Sequence, residues 1–366
     1  MIRVVTGEGS PQPGGSARRT AGSRGRGGEG SLPFVLDQPV ADLPGCALAA
    51  LRSGEPPAGT ATPIRSWVAL EHDGPWGRDV LARVLADVLE PGPRARLLAA
   101  QREAGLRPLL VRRPAPEGRR VGPSGPPTVL VGSARRGAAW LERLPLTDLR
   151  ELNDLDPAAV AHGAGGLGEP VDGPVFLVCT HGAKDLCCAV RGRPVASAVA
   201  RDHPGATWEC THLGGDRFAG NLLVLPDGYL HGQLDPQGAR EVAAQAAAGR
   251  VVVGSLRGHT RASRWEQVAE VEVRRRTGLT GTADVAPVRQ VLRPGEGADV
   301  VVRGGGRLFT VAVRLRDLGP RSSRCTGLQE PSRVPVAVAV VEGVRAAEVL
   351  PGRGSARRAA LLQQSA

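Results

Sequence analysis

Four of the six cysteines of this 366-residue chain, Cys179, Cys187, Cys188 and Cys210, fall within 32 residues, interleaved with His181, Asp185, His212 and Asp216. Thiolates are preferred ligands for iron–sulfur clusters and zinc, and imidazoles suit both zinc and iron. Clustered thiols in a chain of this length point to metal or redox chemistry rather than to a disulfide framework. Cys187 and Cys188 lie near a predicted helix start, where free N–H groups and the helix dipole favour a thiolate or an anionic cluster. There is no C-x-x-C, and a vicinal pair is a strained substitute, so a dithiol oxidoreductase loses ground. A thiol enzyme with Cys187 or Cys188 as nucleophile is a separate class.

Neighbouring residues have plainer readings. Asp185 reads as a helix N-cap, and His181 as a support for its loop. Gly214-Gly215 permits a tight turn; a phosphate loop would need a helix and a lysine that do not follow it. Arg217 and Asn221 read equally as structural pairing groups and as donors behind a ligand. Cys46 and Cys325, each alone in the sequence, read as small buried hydrophobes.

These residues must be positioned by an α/β body. Strands are predicted at 66–71, 106–111 (at a sheet edge, because of Pro108) and 128–131. Apolar spacing predicts a helix over 77–102 and a short one over 138–144. In the second half a strand over 175–178 ends at Cys179. A helix follows over 184–201, broken near Gly192 and Pro194. Strands are then predicted at 207–211, 221–225 and 229–233, a helix at 236–248 and a strand at 251–253. The order β-α-β-β-β-α is compatible with a thioredoxin-like sandwich. The two halves could share a βαβ outline. A charged helix over 265–277 precedes a hairpin whose strands, 299–303 and 308–314, flank Gly304-Gly305-Gly306. The resulting plan is a disordered leader (1–33), an N-terminal α/β region (40–165), a thioredoxin-like domain (170–255), a helix plus β-hairpin appendage (256–345) and a tail (351–366).

Composition narrows the partners. The formal charge is +11, but about half of it lies in the two ends, and 46 of the 47 basic residues are arginine. With only 3 % aromatics to stack bases, nucleic-acid binding is not the expected role. No apolar run reaches the length of a membrane span, and residues 1–10 lack a secretory h-region, so the cytoplasm is the expected compartment.

The runs C-T-H-G-x-x-D-x-C-C-A, G-R-P, W-E-C-T-H-L-G-G-D-R-F-A-G-N and P-D-G together resemble the sucrase/ferredoxin-like family, whose members are similar to thioredoxin-like [2Fe–2S] ferredoxins. Weaker pieces at 74–79, 107–113 and 257–265 extend the resemblance over about residues 40–270. The family's ferredoxins place ligands as C-x8-C and H-x3-H. Carried over, the resemblance implies Cys179, Cys188 and His212 as ligands. The fourth position is Asp216, not histidine. Cys210, Cys187 or Asp216 itself could complete the set, or the branch has lost the cluster. The implied function is one-electron transfer on a [2Fe–2S] cluster with an unidentified redox partner protein. The alternatives are a zinc-binding or metal-free interaction module and a thiol-based oxidoreductase. No flavin or nicotinamide fingerprint is visible, so the expectation is an electron carrier rather than a self-contained reductase.

Overall fold

The computed structural model describes residues 45–115 and 125–343; the predicted leader and tail lie outside the described residues. After α1 (Cys46–Arg52), the first half runs β1 (Ser66–Glu71), α2 (Val80–Val88), α3 (Pro91–Ala104), β2 (Leu106–Arg112), β3 (Val129–Ser133), β4 (Trp140–Leu144) and α4 (Pro157–His162). β1 pairs in parallel with β2 and antiparallel with β3, which pairs with β4. Beyond the two-residue β5 (Glu169–Pro170), the second half repeats this pairing. It runs β6 (Val175–Cys179), α5 (Leu186–Asp202), β7 (Thr207–Cys210), β8 (Leu222–Leu225), β9 (Tyr229–His231) and α6 (Pro236–Ala247). β6 is parallel to β7 and antiparallel to β8, which pairs with β9. The two halves, between which the sequence shows no convincing repeat, thus share a strand plan.

The halves join where β2 meets β7, at Val111↔Cys210 and Arg112↔Glu209. With β10 (Leu256–His259) the result is one curled sheet of ten strands, ordered β10-β9-β8-β6-β7-β2-β1-β3-β4-β5. Its inner face is a single core fed by alternate residues of both halves, among them Trp67, Leu109, Leu130, Leu177, Trp208 and Leu223. The outer face is covered by α2–α4 over the first half and by α5 and α6 over the second. Both faces being covered explains why β1, β3 and β6 are apolar runs rather than alternating patterns. α7 (Arg264–Thr277) packs on a second, antiparallel sheet of β11 (Val285–Arg293), β12 (Gly297–Gly304), β13 (Arg307–Ser322) and β14 (Gln329–Glu342). β12 and β13 form the hairpin signalled by the glycine triplet.

Several expectations need correction. The helix over 77–102 is two helices, parted at Leu89–Glu90 because Pro91 opens a new first turn. Residues 140–144 are a strand, not a helix: each pairs across to β3. β2 is internal rather than at an edge. Leu110 N–H faces Thr211 Oγ1 on the β7 side. Two residues earlier, Pro108 faces the same way, before β7 pairing begins at Val111, so its missing N–H interrupts no ladder. α5 is continuous through Pro194, which forgoes one i→i−4 bond without ending the helix. Gly192 serves packing instead: a Cβ there would overlap Cys179 O. Residues 251–253 are not a strand, and the edge strand is β10.

Candidate metal centre

β6 and β7 run in parallel and end side by side at Cys179 and Cys210. Loops beyond the carboxyl ends of parallel strands are the usual place for a site in an α/β sheet. The loop after β6 reaches the start of α5, where Asp185 caps the helix by accepting from Cys187 N–H at 3.0 Å. The loop after β7 carries His212 and turns through Gly214 and Gly215 to Asp216.

The sulfurs of Cys179 and Cys188 and a ring nitrogen of His212 all lie within 4.8 Å of one another. Asp216 Oδ1 joins them, 3.4 Å from Cys188 Sγ and 3.0 Å from His212 Nδ1. That nitrogen is buried and is ion-paired with the Asp216 carboxylate, so the two groups face the sulfurs together. A hydrogen bond from Cys188 holds the Cys179 thiol well below its usual range against the penalty of burial, with His212 and the Leu213 N–H adding to it. The same contact and burial push Cys188 up. Burial alone would lower His212, but Asp216 and Cys179 outweigh it and raise it to about 9. Burial would raise Asp216; His212, Cys188 and the charge of Arg324 bring it down. Two soft sulfurs, one imidazole and a carboxylate thus converge, a donor set suited to zinc or to iron.

The loop is held by buried polar groups. Arg257, 1 % exposed, donates to Gly214 O at 2.9 Å, Asn221 Oδ1 at 2.8 Å, Thr60 Oγ1 at 3.0 Å and also to Thr60 O. Asn221 Nδ2 donates to Gly215 O at 3.1 Å. Gly215 has φ +74°, and a Cβ there would overlap the Arg257 guanidinium, so both backbone shape and space require glycine. Arg107 Nη2 donates to His212 O at 2.8 Å. His181 Nε2–H donates to Gly77 O at 3.0 Å, and its ring meets Trp76 edge-on. Arg217 pairs with Glu55 at 2.7 Å, outside the donor group. Arg112 and Glu209 form a buried pair at 2.7 Å, to which Thr180 Oγ1 adds at 3.0 Å. The first half therefore braces the site of the second through Trp76, Gly77, Arg107 and Arg112.

Of the other candidate ligands, Cys210 is fully buried, its thiol pushed up by burial, and it lies outside the converging group. Cys187 turns the other way, toward Cys325 at 3.0 Å between sulfurs. Cys46, Cys187, Cys325 and Asp185 form a second group, again within 4.8 Å. Hydrogen bonding with Cys46 lowers Cys187 to about 6 despite burial, while burial and Cys187 raise Cys325 to about 12. No spacing motif links Cys46 to Cys325, which are 279 positions apart. The sequence reading therefore missed this group. Arg257 and Arg107 did carry a signal, since both lie in the quoted weaker motifs.

Residues 144–258 match the family model described as Sucrase/ferredoxin-like, and over that segment the resemblance is shown. The segment contains Cys179, Cys188, His212, Asp216 and Arg257. No curated protein and no solved structure matches the chain. No helix among the described residues is long and apolar enough to cross a membrane.

Proposed function

We propose that the chain is an electron-transfer protein whose [2Fe–2S] cluster is held by Cys179, Cys188 and His212, with Asp216 as the fourth ligand. The observation that carries this reading is the convergence of two buried sulfurs, a ring nitrogen of His212 and the Asp216 carboxylate that pairs with that ring at 3.0 Å. When bound, such a cluster accepts and passes one electron, at a potential set by its ligands, burial and hydrogen bonds to sulfur. The chain's own contributions follow from its geometry. The Leu213 N–H helps hold the Cys179 thiol below its usual range. Arg257 and Arg107 fix the carbonyls on either side of Leu213.

His212, with 23 % of its side chain exposed, is the most open of the four. We assign the docking side of a redox partner protein to that opening. The strand order β7-β6-β8-β9, with α5 and α6 on one face, supports a thioredoxin-like assignment for the second half. Ligand thiolates suit the reducing cytoplasm.

A second reading, a zinc-binding interaction module, is favoured by how close the donors lie: atoms within 4.8 Å of one another can share a single ion. Anaerobic purification with a visible spectrum and iron, sulfide and zinc analysis separates the two. Two irons and two sulfides, EPR-active on reduction, support the carrier. Zinc retained by Cys179, Cys188 and His212 with no labile sulfide supports the module.

A further inference from the structure

The first turn of α5 gives Cys188 to one donor group and Cys187 to another. Cys187 Sγ lies 3.0 Å from Cys325 Sγ, which lies 3.8 Å from Cys46 Sγ. Cys46 Sγ is in turn 3.8 Å from Asp185 Oδ1. The carboxylate is anchored where it stands. Its Oδ1 accepts Cys187 N–H at 3.0 Å and its Oδ2 accepts Cys325 N–H at 2.7 Å. Ala47 and Ala219 close the group with apolar surface. At Gly45 a Cβ would come within 2.6 Å of Cys187 Sγ, so the backbone itself approaches the sulfurs.

We propose that Cys46, Cys187 and Cys325, with the carboxylate of Asp185, form a second metal site that takes one zinc ion. Three sulfurs and one oxygen make the four-ligand shell of a closed structural zinc site, in which Zn–S bonds are about 2.3 Å and tetrahedral S···S edges therefore about 3.8 Å. The Cys46–Cys325 distance of 3.8 Å already matches. The Cys187–Cys325 distance of 3.0 Å needs to open by less than about 1 Å. A Cys187–Cys325 disulfide accounts for less: it requires about 2.05 Å between sulfurs, and it leaves the third thiol, Cys46, without a role. Zinc is also the ion that a redox-silent joint calls for. Binding releases the thiol protons, and the anionic site gains from the N-terminus of the 17-residue α5 and from the nearby charge of Arg191. The ion would tie α1, α5 and the β13–β14 turn, three segments far apart in sequence, in one knot.

The site stands independently of what occupies the first group. Zinc is counted in the full-length chain and in Cys325→Ala and Cys179→Ala chains. The thiols of the unaltered chain are alkylated with and without a strong chelator and read peptide by peptide. The expected result is a loss of one zinc equivalent in Cys325→Ala relative to the unaltered chain, separate from any metal lost in Cys179→Ala, with Cys325 shielded from alkylation until zinc is removed. Alkylation of the unaltered chain keeps the test decisive if Cys325→Ala misfolds. Zinc content equal in all three chains overturns the proposal. So does Cys325 labelling at the same rate with and without chelator, or a Cys187–Cys325 disulfide in zinc-supplemented, reduced protein.

Discussion

Cys187 and Cys188 are adjacent in the chain and serve different groups: Cys188 Sγ lies 3.4 Å from Asp216 Oδ1, and Cys187 Sγ lies 3.0 Å from Cys325 Sγ. Consecutive side chains on an α-helix point about 100° apart, so one helical turn can feed two sites. Exchanging either thiol should therefore have its own signature. Cys188→Ser is expected to abolish iron incorporation and colour, while Cys187→Ser keeps both. A Cys188→Ser protein with full iron would refute the ligand assignment.

Asp216 stands where the resembling ferredoxins carry histidine, and its carboxylate is already in place. Asp216→Ala should cut metal content or affinity about tenfold or more, whereas Asp216→His, restoring H-x3-H, should keep the metal and shift its potential. Metal analysis and redox titration of the two variants check this. Equal metal retention in Asp216→Ala and the unaltered protein would exclude a ligand role.

Arg257 links Thr60, Gly214 and Asn221 from a fully buried position. Arg257→Met removes the charge and leaves several buried acceptors without their donor, an expected loss of about 1–3 kcal/mol for each one left unpaired. Urea unfolding measures it. A loss below about 1 kcal/mol, the level of a surface pair, would mean the guanidinium does not hold the loop.

Gly215→Ala meets both the left-handed backbone, φ +74°, and the Arg257 guanidinium. Metal retention is expected to fall even where the chain still folds, since the clash displaces the turn between His212 and Asp216. Circular dichroism alongside metal content separates the two effects.

Burial pulls the His231 imidazole down to about 3 and holds His259 well below its ordinary value. The folded protein keeps both neutral, while the unfolded chain takes up protons near pH 6.5. Their contribution is thus intact above about pH 6.5 and is lost as the pH falls toward 3, by about 1.4 kcal/mol per pH unit for each histidine. Urea midpoints between pH 7 and 4 should fall accordingly, and less steeply in His231→Asn. Equal slopes would contradict the assignment.

Much of the second half was legible in the sequence because its signals are local. β6 ends at Cys179, the N-cap of α5 is Asp185, and the C-x8-C spacing brings Cys179 and Cys188 together from one loop and one helical turn. The errors arose where tertiary pairing outweighs local pattern. Trp140–Leu144 has helix-like spacing but is captured by the free edge of β3. Pro108 suggests an edge, but its nitrogen faces a stretch that has no ladder to interrupt. The second cysteine group had no local signal at all, because α1, α5 and the turn after β13 meet only in the folded chain.

The ten-stranded sheet ends on one side at β5, two exposed residues of which the second is Pro170. On the other side it ends at β10, buried along its length and packed against α7. An open strand edge is a template on which another molecule can add its own backbone. Here one margin is almost too short to template anything and the other is covered. The ten-stranded sheet is therefore guarded against strand-by-strand aggregation, whatever the two cysteine groups hold.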